Sequence, residues 1–259
     1  MQLNPVDEKT YLDRLRVSLI LLVVIGHATR MFCPYGVYNN RIAVDSTLEM
    51  LTKVIYSFHM PLFVMISGYV YGICVLKSKD YASFLLVIRK KFFRLVVPYL
   101  FWGVCYVAPI MIVLSLTPLS YWQYVKTGIL LSLNSRQLWF LAALFIIFIL
   151  VHGIRCMLER YNNFKSIPLY VKIIVFMSIA FMLRHFYIPS YFQLANAVHY
   201  LPYFLMGYYA KRVDFKSLLD RVALIICVCC VCYSLGIIGA ISIVLYYIIL
   251  YSNRKTIFI

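Results

Sequence analysis

The chain has 259 residues, of which 64% are hydrophobic and 13% charged, against roughly 45–50% apolar and about 25% charged in an ordinary soluble domain. There is too little polar surface to cover a core, so the outer surface must face lipid, and a soluble globular fold is excluded. Lys and Arg number 25 against 9 Asp and Glu, a formal charge of +16, an excess that would suggest nucleic acid in a soluble protein.

The chain opens MQLNPVDEKTYLDRLR, with three acids and no cleavage signature before the first apolar run. This predicts a cytoplasmic lead-in, not a removed signal peptide. A spanning helix needs about 20 mostly apolar residues. Such runs occupy 17–38, 50–76, 92–116, 137–158, 169–188 and 195–210. The last run, 222–251, is too long for one helix, and Ser234, Gly236 and Gly239 offer a break, which predicts a tight hairpin. The expectation is an all-α, polytopic membrane bundle of about 8 transmembrane helices, with six or seven as the alternative. With no fixed-period repeat, low-complexity tract or hydrophilic linker, residues 1–259 read as a single membrane domain.

Charge then tests topology. With the N-terminus cytoplasmic, segments 1–16, 77–94, 155–172, 211–221 and 252–259 hold 19 of the Lys and Arg residues. The other six are Arg30, Arg41, Lys53, Lys126, Arg136 and Arg184. This is a positive-inside distribution, so the +16 is mostly an orientation signal and nucleic acid drops out as a partner. The 8 cysteines fall mostly in apolar runs, where a thiol behaves as a small hydrophobe. Cys227 to Cys230 and Cys229 to Cys232 have C-x-x-C spacing, but no His or acid accompanies them, so neither a metal nor a disulfide framework is expected.

Ionisable groups inside spans cost about 2.5–3.5 kcal/mol on insertion scales and so mark candidate sites. Arg16 and His27 are eleven residues apart, which is close to three helical turns and places them on one face, ~16 Å apart along the axis. Arg30 follows one turn later. A histidine so placed either hydrogen-bonds a neighbouring helix or serves chemistry. His59 lies nine residues below the start of the second run, ~14 Å deep, near the depth of His27 on the antiparallel neighbour. Two histidines at matched depth suit proton transfer near neutral pH. No third ligand of matching depth suggests a metal. His152, His185 and His199 sit near span boundaries and read as interfacial packing.

Arg89, Lys90, Lys91 and Arg94, ahead of Pro98, form a denser basic cluster than orientation requires. It reads either as a flank that binds anionic headgroups or as a phosphate site for a soluble anionic cofactor.

Five stretches together resemble the membrane-bound acyltransferase 3 family. They are Tyr11-Leu12-Asp13-x-Leu15-Arg16 followed by Gly26-His27, Phe58-His59-Met60-Pro61-Leu62-Phe63 running into Ile66-Ser67-Gly68-Tyr69, the basic cluster leading to Pro98, Leu138-Trp139-Phe140-Leu141, and Pro202-Tyr203-Phe204-Leu205-x-Gly207-Tyr208. The resemblance is strongest over 11–212 and narrows to sugar O-acetyltransferase-like members. Typical members are longer, so a short or C-terminally shortened member is expected.

The resemblance implies a multi-pass protein of the bacterial cytoplasmic (inner) membrane. Such a protein moves an acyl group, commonly acetyl, from cytoplasmic acetyl-CoA to a hydroxyl of a cell-envelope sugar, polysaccharide or lipid-linked glycan. It further implies that Arg89, Lys90, Lys91 and Arg94 hold the CoA phosphates, with Arg16 helping at the cytoplasmic edge. His27 would be general base or transient acyl carrier, His59 would orient it or the acceptor, and Trp139 and Arg30 would line the substrate channel. An exporter of a small acyl metabolite and an inactive remnant are the rival readings. Against the exporter, no repeated half with matching broken helices is visible.

Overall fold

The computed structural model describes residues 5–34, 44–161 and 166–213. The hairpin expected at 222–251, its C-x-x-C pairs and the basic segment 252–259 lie outside these residues. The described chain is helical, with no strand among the described residues. Helix α1 is Pro5–Thr29, continued by a 3-10 turn at Arg30–Phe32. Helix α2 is Ser46–Lys77, and a third continuous helix, α3, is Phe84–Val113. The short α4, Tyr121–Tyr124, runs into a π turn at Val125–Leu130. Then come α5, Trp139–Leu158, α6, Leu169–Leu183, and α7, Leu194–Ala210.

Among the described residues four helical stretches are long and apolar enough to cross a membrane: Leu12–Phe32, Ser46–Lys77, Phe84–Val113 and Arg136–Leu158. The first two helices start earlier than hydropathy suggests. Hydropathy marks the lipid-facing length, whereas helix bounds follow hydrogen bonding and capping. Asp45, whose carboxylate accepts from the Leu48 amide at 2.9 Å, caps α2.

Helix α3 carries two π turns, Phe92–Val96 and Gly103–Val107, each ending just before a proline-bearing segment. The amide of Val97 reaches back to Phe92 O, and that of Ala108 to Gly103 O. Pro98 and Pro109 have no N–H to continue the α ladder, and the widened turn ahead of each absorbs the missing bond.

The core is built on α2, α5 and α7, which run in the same direction. Phe63 meets Phe140, Tyr71 meets Phe148, and Phe148 meets Phe204. Helix α7 is nearly all buried, from Ala197 to Tyr209 on most faces. It touches α2 through two glycines. A Cβ on Gly68 would overlap the Phe204 carbonyl, and one on Gly207 would overlap the Met65 carbonyl. Both positions therefore need glycine for the backbones to approach. Helix α1 lies antiparallel on α2, with Thr29 and Thr52 hydrogen-bonded at 2.7 Å where both are buried. Helix α3 lies antiparallel on α5, placing Phe84 against His152 and Phe92 against Phe145.

These alternating directions collect most of the described cations at one end: Arg14 and Arg16 at the start of α1, Lys77 at the end of α2, and Arg89 to Arg94 on α3. Arg155, Lys172, Lys211 and Arg212 join them there. Arg30, Lys53, Arg136 and Arg184 lie at the opposite end.

Gly207→Ala should lower stability by about 1–3 kcal/mol, the usual cost of overpacking, because the obstacle is backbone and not a movable side chain. Thermal unfolding in detergent checks this. Gly153→Ala, whose Cβ would meet only the Phe84 ring at 3.5 Å, is the control expected to stay near wild type.

Candidate functional site

The sequence places His27 and His59 at matched depth, and the structure brings them together around a residue the sequence does not single out. Tyr56 Oη lies 2.9 Å from His27 Nδ1. The Tyr56 ring also meets the His59 ring edge-on, with centroids 4.9 Å apart. Gly26 makes this possible: it is buried against α2, and a Cβ there would press on Ile55 at 3.0 Å and the Tyr56 ring at 3.1 Å. Arg30 stands over the other part of the group, its guanidinium carbon 5.3 Å from the Tyr56 centroid.

The hydrogen bonds decide protons. His59 is buried and its Nδ1 lies 2.7 Å from the Ile55 carbonyl. A carbonyl only accepts, so His59 Nδ1 carries the hydrogen and, in the neutral ring, Nε2 keeps its lone pair. Tyr56 can donate or accept. When the phenol accepts from His27 Nδ1–H, His27 Nε2 is also a lone-pair base, and Tyr56 plays the orienting part that a third group plays in a catalytic triad. His27 is half-buried, so its ring is sheltered yet reachable. His59 is not hydrogen-bonded to His27 among the described residues; Tyr56 is the intermediary.

At the basic end the motif residues divide. Arg89, Lys90 and Arg94 are exposed, whereas Lys91 is sheltered, its Nζ 3.9 Å from the centre of the Phe148 ring. The Lys91 ammonium is within electrostatic reach of both Arg94 and Arg16. Arg16 itself pairs with Asp13 at 3.1 Å. Lys91 and Arg94 follow one another on α3, Arg94 within the π turn Phe92–Val96, and Arg16 stands at the same end of the bundle on α1.

Trp139 lies at the opposite end, at the start of α5. Its indole packs on Tyr200 of α7, centroids 5.4 Å apart and tilted by 35°. Phe140 continues the contact, 6.1 Å from Trp139 and 6.0 Å from Phe63. Phe63 is one turn beyond His59 on α2. A row of half-buried aromatic rings therefore runs from Trp139 to α2, reaching it one turn on the basic side of His59. Beside its mouth, Arg184 and His199 meet at 3.3 Å.

The backbone around this mouth is strained. Ser132, Arg136, Phe192 and Gln193 all have φ between 49° and 62°. They are tied to one another: the Phe192 amide donates to Leu131 O at 2.9 Å, and the Gln193 side-chain amide donates to Ser132 O. Tyr99 donates towards Ile129 O and Ser132 Oγ at 2.6 and 2.8 Å. Left-handed non-glycine residues persist where surroundings over-determine them, and they cluster at functional sites.

His152 departs from expectation. It is completely buried, not interfacial, with Nδ1 2.7 Å from the Tyr71 hydroxyl and Phe84 stacked on its ring. The neighbouring helices α2 and α3 cover it, which span position alone does not reveal. Among the described residues no group of three His, Cys, Asp or Glu is arranged to hold a metal.

This geometry defines a helical bundle of membrane-spanning character, with a paired-histidine group on α1 and α2, a cationic end, and a cluster of aromatic rings at the start of α5. Comparison with known proteins gives it a family. The acyltransferase 3 family model, described as an acyltransferase domain, matches residues 9–259, and the chain belongs to that family. It is similar to nodulation protein NolL of Mesorhizobium japonicum (strain LMG 29417 / CECT 9101 / MAFF 303099), 34% identical over 136 residues, covering 51% of this chain and 32% of that protein. It is also similar to nodulation protein NolL of Sinorhizobium fredii (strain NBRC 101917 / NGR234), 36% identical over 90 residues, covering 35% of this chain and 22% of that protein. The matches thus span a third or less of these relatives' length. No solved structure matches the chain.

Proposed function

We propose that this acyltransferase takes an acyl group, acetyl in the first instance, from acyl-CoA at the basic end. It passes that group to a hydroxyl of a cell-envelope sugar or glycan admitted at the aromatic end. The observation that carries this reading is the His27–Tyr56–His59 group, held on α1 and α2, with α1 running to it without a break from Arg16 at the basic end. The positive-inside rule makes the basic end cytoplasmic, the side on which a CoA donor is found, in a bacterial inner membrane.

The cations present fit a polyphosphate. Arg16, Lys91 and Arg94 stand at the same end of the bundle, with Asp13 as the acid paired to Arg16, so an anion with several charges relieves their repulsion. Arg94 and Arg16 offer planar forks for phosphate oxygens, and Arg89 and Lys90 add charge at the rim. The donor, when bound, supplies an activated thioester carbonyl.

His27 Nε2 accepts the proton of the acceptor hydroxyl as that oxygen attacks the thioester carbonyl, and returns it to the departing sulfur. Tyr56 holds the ring in the base-competent tautomer. His59 Nε2 accepts a hydrogen bond from the acceptor or its incoming hydroxyl and so positions it. Trp139 and Tyr200 present flat apolar faces of the kind on which a sugar ring stacks, and Arg30 closes the channel beside Tyr56.

His27→Ala should lower acyl transfer about 100-fold or more, the range of lost acid–base catalysis, in an assay of labelled acetyl-CoA with membrane glycan extract. Near wild-type transfer would remove His27 from the chemistry. Tyr56→Phe keeps the ring but loses the bond to Nδ1; a drop of roughly tenfold in kcat, smaller than for His27→Ala, is expected for a positioning group, together with a shifted pH profile.

Trp139→Ala and Tyr200→Ala should raise the KM for the acceptor while leaving CoA binding unchanged. Equal loss of both would show that the two rings only support the fold.

A further inference from the structure

Away from the motif residues, the basic end holds a second pair of arginines. Arg155, one turn from the end of α5, has a side chain only 10% exposed. Arg212 follows the last turn of α7, its guanidinium carbon 4.7 Å from the centre of the Tyr208 ring. In both, Nε is buried without a hydrogen-bond partner among the described residues. The Tyr208 ring lies 5.4 Å from that of Tyr71, and Arg155 donates to the carbonyl of Tyr81, whose ring lies 5.7 Å from Tyr71, so both arginines border one cluster of phenols.

Among the described residues Arg155 pairs with Glu159, 3.6 Å away and 41% exposed, and a terminal N–H of Arg155 donates to the Tyr81 carbonyl. A sheltered guanidinium is costly unless it is paired and its donors are used. Among the described residues the two guanidiniums keep Nε–H groups with no acceptor, which leaves donors for an added anion. Lys91 stands over the Phe148 ring, which meets Tyr71, so the inner ammonium of the motif borders the same aromatic cluster.

We propose that Arg155 and Arg212 form a second phosphate subsite, separate from the motif cations and beside them. A phosphoryl group has the charge and the oxygens to take Nε–H and terminal N–H donors from both forks at once. The phosphate belongs either to the CoA donor, whose nucleotide end carries phosphates at two separated points, or to an anionic phospholipid headgroup. The first source rests on the donor reading above and the second does not.

The experiment uses the full chain in nanodiscs, comparing wild type, Arg155→Gln/Arg212→Gln, Arg155→Lys/Arg212→Lys and Arg94→Ala. Calorimetry in phosphatidylcholine discs measures CoA affinity. Native mass spectrometry from mixed discs measures retention of phosphatidylglycerol over phosphatidylcholine. The Gln pair should weaken CoA binding tenfold or more, with the Lys pair in between, which assigns the phosphate to the donor. Loss of phosphatidylglycerol retention with CoA affinity intact assigns it to lipid and still supports the subsite. Unchanged values in both arms overturn it, and if Arg94→Ala then still weakens CoA binding, the donor reading survives alone. If wild type binds no CoA, the donor reading falls and the lipid arm decides the subsite. Arg212→Gln alone, at the helix end, supplies the same readout if the double variant does not fold.

Discussion

The close crossing of α2 and α7 is the constraint on which the remaining arrangement depends. Lipid offers no hydrophobic force to press helices together, so packing at short range must hold them, and small residues permit it. Gly68 and Gly207 bring backbone against backbone, with each glycine facing a carbonyl of the partner helix. Once α7 is seated there, Tyr71 is enclosed by Phe148, Phe204 and Tyr208, and α5 has a fixed surface to join. The position of α2 then sets the position of Tyr56 and His59, because both ride on the same continuous helix.

A second small residue solves a different problem. Gly26 lets α1 lie close enough for His27 to reach Tyr56, and the Thr29–Thr52 bond fixes the register one turn away. The polar groups of this region are thus satisfied by each other and by the Ile55 carbonyl. That arrangement lowers the cost of placing histidines in a low-dielectric interior. It also fixes the neutral His59 ring in the tautomer that carries its hydrogen on Nδ1.

Much of this was legible in the sequence where the signal was local. The runs 50–76 and 137–158 differ from Ser46–Lys77 and Arg136–Leu158 by a few residues, since a continuous apolar run is a property of neighbours in the chain. The eleven-residue step from Arg16 to His27 is likewise a local fact of helix pitch. Tyr56 and Tyr200 escaped because 23 tyrosines carry no mark of which one meets a histidine or an indole. Those contacts join residues 29 and 61 positions apart. The start of α3 was placed late, at 92, because the charged residues 89–91 lower hydropathy without interrupting the helix. His152 was assigned to an interface by its distance from the span end, whereas its burial comes from Phe84 and Tyr71 on other helices.

Charge links the two ends of the molecule to its centre. Helices α1 and α3 each carry cations at the basic end and run on into the interior, so those cations are connected through continuous helix to groups deeper in the bundle. On α1 that connection is a plain helix from Arg16 to His27. On α3 it passes through two π turns at Phe92–Val96 and Gly103–Val107. Lys91, just ahead of the first π turn, bends inwards over Phe148, while Arg94 within that turn stays exposed. The same cation-rich segment thereby serves two depths, a rim that meets water and an inner ammonium that faces α5. Proline, which forces the wider turn, is thus part of how the basic end is shaped, and Pro98 in the sequence motif has a structural reason to follow the cations that it follows.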